Sequence, residues 1–423
     1  MRFFTLIGIT ILSIAAQSGN DLSHFEKEIQ HMDLELSSQE LQKLLRQKKQ
    51  FGILNFNSTA PEEAAIERAI ALGERLLKWI DLINTKRSDD KKIRLTSAGT
   101  RRGIPISNPK RYSPRSVNSA YEETFTEMPQ AMKDILYSSQ ELTDTNPITD
   151  EEFILYGRKV DSNYQTAARW SLLIPYKFAY IRNRARDVRG YYYLTTNNWN
   201  ETTLEKWPVL DSETQALIRN GLYGLCINQG AGQCLEQANR VTTSEQAISM
   251  YKRYFPQAKR VYDAFFLLRS ARSDVSWPKE SAVATIPFVD PKTDDVRYFI
   301  QHNIEDEFKW TDGGLKIEFT SDSRKTRTSP YIVFIPGVTA NVDRLGGNRI
   351  EMDANKSLQE YEEQWTIRHE FGHVLGFPDC YHEFFDVDQD EFVNYQLDIT
   401  DLMCSRAGNF TERMHQDLKT NYN

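Results

Sequence analysis

Two histidines and one glutamate in the segment HEFGH, residues 369–373, have the types and spacing needed for metal-dependent hydrolysis. His369 and His373 are four residues apart, so a helix would place both imidazoles on one face, within reach of one ion. Glu370 lies beside the first histidine, where it can take a proton from water. Because the chain has only 7 histidines, this pattern should arise by chance in roughly one such chain in a hundred. We therefore expect a site for one zinc ion per chain, on a helix from about 358 to 375.

A catalytic zinc also needs a third protein ligand from outside this helix and one open coordination position. Gly376 can end the helix because glycine tolerates left-handed backbone, and Pro378 discourages further helix. The resulting turn brings Asp379 toward the same ion, and a carboxylate oxygen is a suitable zinc ligand. Two alternatives for the third ligand stay open, which are His382 and the thiolate of Cys380.

The segment from His369 to Asp379 resembles the long motif of the metzincin metallopeptidases, His-Glu-x-x-His-x-x-Gly-x-x-His or Asp. Its Gly-Phe-Pro-Asp ending is most similar to the snapalysin-like branch, which uses Asp. The stretch Asp401–Ser405 resembles the Met-turn of this family, and this resemblance implies that Met403 lies beneath the metal. In some members of this family a Tyr two residues after the Met-turn methionine acts as a metal ligand or stabilises the oxyanion. No Tyr stands two residues after Met403, so that role is not assigned.

The resemblance covers residues 281–423 and implies an α+β, zincin-like catalytic domain with a twisted mixed sheet and an active-site helix. It implies an endopeptidase acting on polypeptides, in which zinc activates a water molecule and Glu370 serves as general base. It also implies that an extended substrate pairs with an edge strand between Val338 and Met352.

Two other functions stay open at this point. The first is an exported binding or structural protein with a structural or degenerate zinc site, although a structural zinc usually has four protein ligands. The second is a hydrolase of a non-peptide-chain amide, such as a cell-wall crosslink.

The N-terminus has the pattern of a secretory signal peptide over residues 1–18. Met1 and Arg2 precede an apolar run from Phe3 to Ala16, which is shorter than the roughly twenty residues of a spanning helix. We therefore expect export to a periplasmic or extracellular location and no membrane association after cleavage. The net charge of −7 gives no electrostatic footprint for nucleic acid. Nothing in the sequence predicts the oligomeric state.

The length of 423 residues exceeds what one hydrophobic core usually supports, so we expect more than one domain. A helical segment at 19–93 is a candidate propeptide of a zymogen, and residues 19–280 as a whole are an inhibitory propeptide, a substrate-recruiting module or a retained scaffold. A basic, Pro-rich linker follows at 94–116, then a mostly helical domain at 117–280, and then the catalytic domain at 281–423.

Apolar periodicity predicts the individual elements. In the N-terminal part it predicts helices at about 23–50 and 61–86 and a mostly helical stretch at 150–272. In the C-terminal part it predicts strand Ala282–Val289, helix Asp294–Trp310 and strands Leu315–Phe319, Tyr331–Ile335 and Asn348–Met352. A short closing helix at Thr411–Leu418 is implied by the family resemblance.

The four cysteines are even in number, as disulfides in an exported protein require. Proximity in sequence favours Cys226 with Cys234, which leaves Cys380 with Cys404, although three pairings are possible. A thiolate of Cys226 or Cys234 blocking the zinc is an alternative that this pairing would remove.

The acidic cluster Asp386–Glu391 resembles a calcium loop only superficially. Glu391 stands where an EF-hand needs Gly, and Leu397 stands where it needs a bidentate Glu. A solvated acidic turn is the expectation, and a non-standard Ca²⁺ site is the alternative.

Overall fold

The computed structural model describes residues 32, 34–50, 61–95, 103–322, 324 and 327–423. The predicted signal peptide, the first part of the first predicted helix, and Arg101 and Arg102 of the basic segment lie outside these ranges. Within the described ranges, no helix has the length and apolar character needed to cross a membrane.

The described residues form an α+β structure with small sheets, which confirms the predicted class at this level. The helices are α1 Ser38–Gln50, α2 Pro61–Asn84, α3 Pro114–Glu127, α4 Gln130–Leu136, α5 Asp150–Leu173, α6 Lys177–Asn183, α7 Arg189–Thr196, α8 Glu201–Leu204, α9 Ser212–Asn228, α10 Cys234–Asn239, α11 Ser244–Asp263, α12 Asp294–Glu307, α13 Tyr361–Val374 and α14 Glu412–Tyr422. The strands are β1 Lys110–Tyr112, β2 Val283–Val289, β3 Lys309–Trp310, β4 Gly313–Thr320, β5 Tyr331–Ile335, β6 Asn341–Val342, β7 Arg349–Asp353, β8 Tyr381–Asp386 and β9 Glu391–Gln396. Short 3-10 helices lie at Asp89–Lys91, Ile174–Tyr176, Arg184–Arg186 and Trp207–Val209.

The chain divides into two compact units. Unit 1 comprises Met1–Ser97, Arg111–Ala179 and Val387–Phe392, and unit 2 comprises Ala98–Lys110, Tyr180–Asp386 and Val393–Asn423. The division falls inside the stretch 117–280 that the sequence suggested as one helical domain. The helices after residue 180 therefore belong to the same unit as the predicted catalytic residues.

Unit 1 is built mainly from α2, α3 and α5. Helix α5 begins with a capping box, in which Thr149 Oγ1 accepts from the backbone N–H of Glu152 and the Glu152 carboxylate accepts from Thr149 N–H. The ring of Trp79 on α2 packs edge-on against Phe153 of α5, with ring centroids 4.9 Å apart. These aromatic contacts lie within the apolar core that holds the helices of unit 1 together.

The helical part of unit 2 has its own apolar cluster around Trp207, Leu222 and Leu225. A disulfide between Cys226 and Cys234 joins the end of α9 to the start of α10, with Cα atoms 5.6 Å apart, which confirms the predicted pairing. The ring of Tyr191 packs within 5.0 Å of two other aromatic rings, so it serves packing.

The mixed part of unit 2 contains two three-stranded sheets, ordered β2-β4-β3 and β5-β7-β6. The pairs β2–β4 and β5–β7 are parallel, whereas β3 and β6 run antiparallel to their neighbours. The backbone N–H of Val289 at the end of β2 donates to the Pro330 carbonyl just before β5, at 2.8 Å. The strands that the sequence predicted are therefore present, joined by two short strands, β3 and β6, that it did not predict.

Three predictions need correction. The helix predicted to reach Trp310 ends at Glu307, because Lys309 and Trp310 pair with the Gly313-Gly314 end of β4. Strand β5 is half-buried over its whole length and not fully buried as expected from its apolar run. The helix predicted to begin near residue 23 begins at Ser38 within the described residues.

The described second half of the basic segment 94–116 is packed and not an exposed linker. Ile106 is 2% exposed and belongs to the core of unit 2. Ile104 and Gln396 exchange hydrogen bonds, with the backbone N–H of Gln396 donating to the Ile104 carbonyl at 2.6 Å. The backbone pairing adds this stretch alongside strand β9. Its Pro and Arg content did not suggest such a pairing.

A buried ion pair between Glu307 and Arg368 joins helices α12 and α13. The second carboxylate oxygen of Glu307 accepts from the backbone N–H of Phe410 at 2.5 Å. Removing one partner of a buried pair leaves an uncompensated charge in a poorly hydrated place. This interaction should therefore contribute strongly to the position of α13.

We expect Glu307→Ala to lower the free energy of unfolding by about 3 kcal/mol, because Arg368 would lose its buried partner. Asp306→Ala is the matched control, since Asp306 precedes it in the same helix and makes an exposed pair with Lys309. Urea denaturation of both variants checks this, and equal destabilisation would contradict the proposed importance of the Glu307–Arg368 pair.

Candidate metal centre

Helix α13 carries His369 and His373 on adjacent turns of one face. Acidic residues Glu362 and Glu363 lie in its first turn, where the helix dipole favours negative charge. Ile367 and Phe371 are fully buried and anchor the helix in the core. The two imidazole rings are 4.8 Å apart between centroids, so the spacing of the motif translates into adjacent side chains.

Gly376 turns the chain back at the end of this helix. Its φ of 99° lies in the region that favours glycine, and a Cβ there would meet the Ser270 carbonyl oxygen. The backbone N–H of Phe377 donates to Gly372 and that of Gly376 donates to His373, both at 3.0 Å. These two bonds form a Schellman motif, which satisfies carbonyls at the helix end and redirects the chain.

The turn places Asp379 against both histidines. Asp379 Oδ1 lies 3.2 Å from Nε2 of His369 and 3.2 Å from Nε2 of His373. These three residues form one potential metal-ligating group (the metal group), whose ligating atoms all lie within 4.8 Å of one another. The side chain of Asp379 is 31% exposed, whereas that of His369 is 5% exposed, so the group is reached by solvent on the Asp379 side.

The other ring nitrogens fix which atoms face the centre of the group. Nδ1 of His369 lies 2.8 Å from the Leu402 carbonyl oxygen, and Nδ1 of His373 lies 2.9 Å from that of Phe377. Because a carbonyl oxygen only accepts, each Nδ1 must carry the proton and donate it. In the neutral rings both Nε2 atoms are then unprotonated and point lone pairs toward Asp379.

Three acceptors therefore converge without a donor between them. Asp379 Oδ1 is a buried oxygen without a hydrogen-bond partner. Such an arrangement is costly unless a cation or additional protons lie among the three atoms. Two imidazoles and one carboxylate are a donor set that suits a divalent transition-metal ion, so the residues present fit a metal.

The pKa shifts of the three side chains also indicate that positive charge is favoured among them. Burial by itself would lower the pKa of His373, but the Asp379 carboxylate outweighs burial and raises it to about 9. Burial would likewise lower the pKa of His369, and the nearby Asp379 carboxylate reverses the sign, so this pKa too is raised. Burial would raise the pKa of Asp379, yet the two histidines hold it well below its usual range.

Glu370 is buried beside the first histidine, with 4% of its surface exposed. Burial raises the pKa of this carboxyl, and His373, His369 and Arg406 oppose that effect. A raised carboxyl pKa moves the group toward the range in which it can exchange a proton near neutral pH.

Arg406 is a residue near the site that the sequence did not single out. It is buried, and its charge acts on Glu370. Its position three residues after Met403 was the available signal, because the loop that passes the metal group continues directly into it.

Met403 lies against helix α13 and is 1% exposed. A Cβ added to Gly372 would overlap Met403 Sδ, so the helix and the methionine approach as closely as glycine permits. The glycine of the HEFGH segment, Gly372, therefore has a packing role that the metal-ligand pattern alone did not reveal.

The loops carrying Asp379 and Met403 are tied together next to the metal group. A disulfide joins Cys380 to Cys404, with Cα atoms 4.4 Å apart, as predicted. The backbone N–H of Cys380 donates to the Met403 carbonyl at 3.1 Å, and Asp401 Oδ1 accepts from Met403 N–H at 2.8 Å. These links fix the residue after the third ligand relative to the residue after the methionine.

The alternative ligands are positioned elsewhere or are chemically unavailable. Nε2 of His382 lies 3.0 Å from the Asn183 carbonyl, and His382 is not part of the three-residue group. Burial, followed by the charge of Arg186, lowers the pKa of His382 to about 3, so the ring is neutral. Cys380 is oxidised in its disulfide, and the same is true of Cys226 and Cys234, which therefore offer no thiolate to block the metal.

The acidic cluster Asp386–Glu391 forms the turn between β8 and β9. Asp386 pairs with Arg184 at 3.3 Å, and Asp390 pairs with Lys177 at 2.9 Å. Among the described residues the cluster does not form a metal-ligating group. These contacts favour the acidic turn over the calcium site.

Strand β6 provides a sheet edge near helix α13, inside the interval 338–352 where the sequence suggested one. It pairs on one side with β7 and is the outer strand of its sheet. The turn after β6 is attached to α13, because the backbone N–H of Gly346 donates to the His373 carbonyl at 2.8 Å. An extended peptide could add to this edge beside the metal group.

Comparison of the chain with models of known protein families, with curated proteins and with solved structures found no match.

The metal affinity should depend on pH in a direction set by the protonation of the ligands. His373 with a pKa of about 9 carries a proton at neutral pH that a metal ion must displace. We therefore expect the apparent Zn²⁺ affinity to rise by about tenfold per pH unit between pH 6 and 8 and to level off near pH 9. Competition with a chromophoric chelator measures this directly.

The same titration is made on two variants, His373→Ala, which should lose Zn²⁺ affinity, and the control His302→Ala. His302 is an exposed residue of α12 that stacks on Tyr298, so its loss should leave the affinity unchanged. A pH-independent affinity, or equal affinity in the two variants, would contradict the assigned metal group.

Gly372→Ala should lower the free energy of unfolding by about 2 kcal/mol, because the added methyl group overpacks the contact with Met403. Gly232→Ala is the control, since a Cβ at that position meets nothing within 4 Å. Thermal unfolding of both variants checks the contact, and an unchanged Gly372→Ala protein would show that Met403 is not packed there.

Proposed function

We propose that the chain is an exported, zinc-dependent metalloendopeptidase of the metzincin type. The observation that carries this proposal is the convergence of Asp379 Oδ1 with Nε2 of His369 and of His373, each 3.2 Å away, beside a buried Glu370. Three protein ligands with a solvent-reached side are typical of a catalytic zinc, whereas a structural zinc is closed by four.

The proposed ligands are His369, His373 and Asp379. A zinc ion held there would supply Lewis acidity, polarising the scissile carbonyl and making water acidic enough to lose a proton. The Leu402 and Phe377 carbonyls orient the two rings by accepting from Nδ1, which keeps each Nε2 available as a ligand.

Glu370 is the proposed general base. Its carboxylate takes the proton that water loses when it attacks the peptide carbonyl, and then passes the proton to the leaving amine. Arg406 acts on the charge of this carboxylate and so helps to set its proton affinity.

The arrangement of elements supports the choice of a peptide substrate. The antiparallel edge strand β6 is attached through Gly346 to the end of the active-site helix, so a peptide paired with β6 would run past the metal group. The metzincin assignment is supported by the glycine turn before Asp379 and by Met403 packed against Gly372. The two disulfides are in keeping with an oxidising, extracytoplasmic location.

The test is metal content and cleavage of a generic protein substrate by the exported chain, with and without a chelator. We expect about one zinc per chain and a fall in kcat of at least about 100-fold in Glu370→Gln, which keeps the shape of the side chain but removes the base. Glu280→Gln is the control, since Glu280 is an exposed residue of the same unit.

Zinc binding without cleavage, even after limited proteolysis that removes residues 19–93 as a propeptide, would contradict the peptidase proposal. Release of products from cell-wall crosslinks in that case would favour the amide hydrolase. Full activity of Glu370→Gln would contradict the assigned base.

A further inference from the structure

Arg272 is a buried arginine in the segment 269–274, which connects helix α11 to strand β2 and precedes the stretch 281–423 that the sequence suggested as the catalytic domain. Its side chain is 4% exposed and pairs with Asp274 through two bonds of 2.8 Å, from Nε to Oδ1 and from Nη2 to Oδ2. This pair uses two of the five N–H groups of the guanidinium. Because the group is buried, the other three need acceptors from elsewhere in the fold.

The remaining N–H groups of Arg272 hold the turn between β6 and β7. Nη1 donates to the carbonyl oxygens of Gly346 at 3.1 Å and Gly347 at 2.7 Å, and to Asn348 Oδ1 at 2.9 Å. Nη2 donates to the Thr328 carbonyl at 2.7 Å, just before β5. One side chain therefore fixes three successive residues of the turn and joins them to the segment that leads into the neighbouring strand.

The segment that carries Arg272 is also bonded to the end of helix α13. The backbone N–H of Arg269 donates to the Gly376 carbonyl at 3.0 Å. The backbone N–H of Arg272 donates to the Tyr422 hydroxyl at 2.9 Å, and this hydroxyl donates to the Leu375 carbonyl at 2.8 Å. A single short segment therefore holds both the turn beside β6 and the backbone that leads out of the metal-binding helix.

The Ser270 carbonyl lies between these two turns. A Cβ on Gly346 or on Gly376 would lie 2.5 Å from the Ser270 oxygen, and both glycines have positive φ, of 68° and 99°. The turn beside β6 and the turn that leads to Asp379 therefore pack against the same carbonyl as closely as glycine permits. A displacement of the segment would move one turn relative to the other.

The turn between β6 and β7 closes without help from Arg272. Gly347 N–H donates to the Arg344 carbonyl at 2.8 Å, and Asp343 N–H donates to the Arg349 carbonyl at 3.2 Å. Burying a guanidinium costs free energy that its ion pair and hydrogen bonds only offset. What the buried charge adds is a fixed position of the turn relative to the end of α13.

We propose that Arg272 is a positioning residue of the peptidase, which holds edge strand β6 in register with the metal group. An extended substrate paired with β6 then presents its scissile carbonyl to the metal. The inference rests on the proposed peptidase function. Arg272 acts through the backbone of Gly346 and Gly347, and β6 pairs with a substrate through main-chain groups, so its effect depends on the length of the substrate.

The experiment uses the zinc-loaded chain and two peptides with the same residues at the scissile bond. The short peptide has about two residues on each side of that bond, and the long peptide has about five, which at about 3.4 Å per residue reaches along the sheet edge. We expect the long peptide to have at least about a tenfold lower KM, because it adds main-chain hydrogen bonds to β6.

Arg272→Gln should reduce this length advantage in KM to within about twofold and leave kcat/KM for the short peptide within about threefold. Arg272→Lys should keep part of the advantage, since an ammonium can pair with Asp274 but has only three donors. Arg297→Gln is the matched control and should keep all of it. Arg297 lies in the same unit and also pairs with an aspartate, Asp290, through two bonds of 2.9 Å.

A milder variant tests the same contact if Arg272→Gln does not fold. Asn348→Ala removes one acceptor of Nη1 and leaves the Gly346 and Gly347 carbonyls in place. It should reduce the length advantage by about threefold without a large change in melting temperature. A merely structural role would lower the activity toward both peptides by one factor and leave their ratio unchanged.

A second readout is the binding of fluorescent forms of both peptides to zinc-loaded Glu370→Gln, which does not depend on turnover. Tighter binding of the long peptide that is lost on adding Arg272→Gln, in a protein whose parent chain cleaves nothing, would support the positioning role and contradict the peptidase function. Cleavage with a length advantage that survives in Arg272→Gln, equal losses for both peptides, or cleavage without a length advantage in the unmodified chain would overturn the inference.

Discussion

Three lone pairs that meet at one point set the main constraint on unit 2. Nε2 of His369, Nε2 of His373 and Oδ1 of Asp379 are all acceptors, and backbone carbonyls hold the ring protons on the opposite nitrogens. The arrangement is stable only with positive charge among the three atoms. A proton on His373, whose pKa the Asp379 carboxylate raises to about 9, can supply this charge at neutral pH, and the surrounding structure must hold the three groups together.

Close packing supplies that restraint. The turn at Gly376 directs the chain from the end of helix α13 to Asp379. The disulfide of Cys380, the residue after Asp379, joins this segment to the loop of Met403. Gly372 lets that loop approach the helix, while the Glu307–Arg368 pair fixes the helix from the other side. Each restraint acts on backbone near His369, His373 or Asp379, so small changes at any of them should shift these three side chains.

The helical part of unit 2 takes part in the same construction. Asp187 is buried, pairs with Arg189 at 2.7 Å and accepts from the Tyr395 hydroxyl at 2.9 Å. Tyr395 belongs to β9, which follows the segment of Asp379, and its hydroxyl accepts from Val188 N–H at 3.0 Å. A satisfied buried network of this kind gives the helices after residue 180 a fixed relation to the strands that follow the third ligand.

The sequence alone determined what depends on local pattern. Helical spacing placed His369 and His373 on one face, and the Gly-Phe-Pro run predicted the turn to Asp379. Four of the eight described strands after residue 281, which are β2, β4, β5 and β7, followed from their apolar patterns. Even the two disulfides followed from proximity and elimination.

What only the tertiary structure decided depends on residues far apart in the chain. The proton on Nδ1 of His369 depends on the carbonyl of Leu402, 33 residues later. The packing of Ile104 depends on Gln396 of β9, 292 residues later. Such contacts have no local sequence signature, because the residues that meet in them are brought together only by the fold.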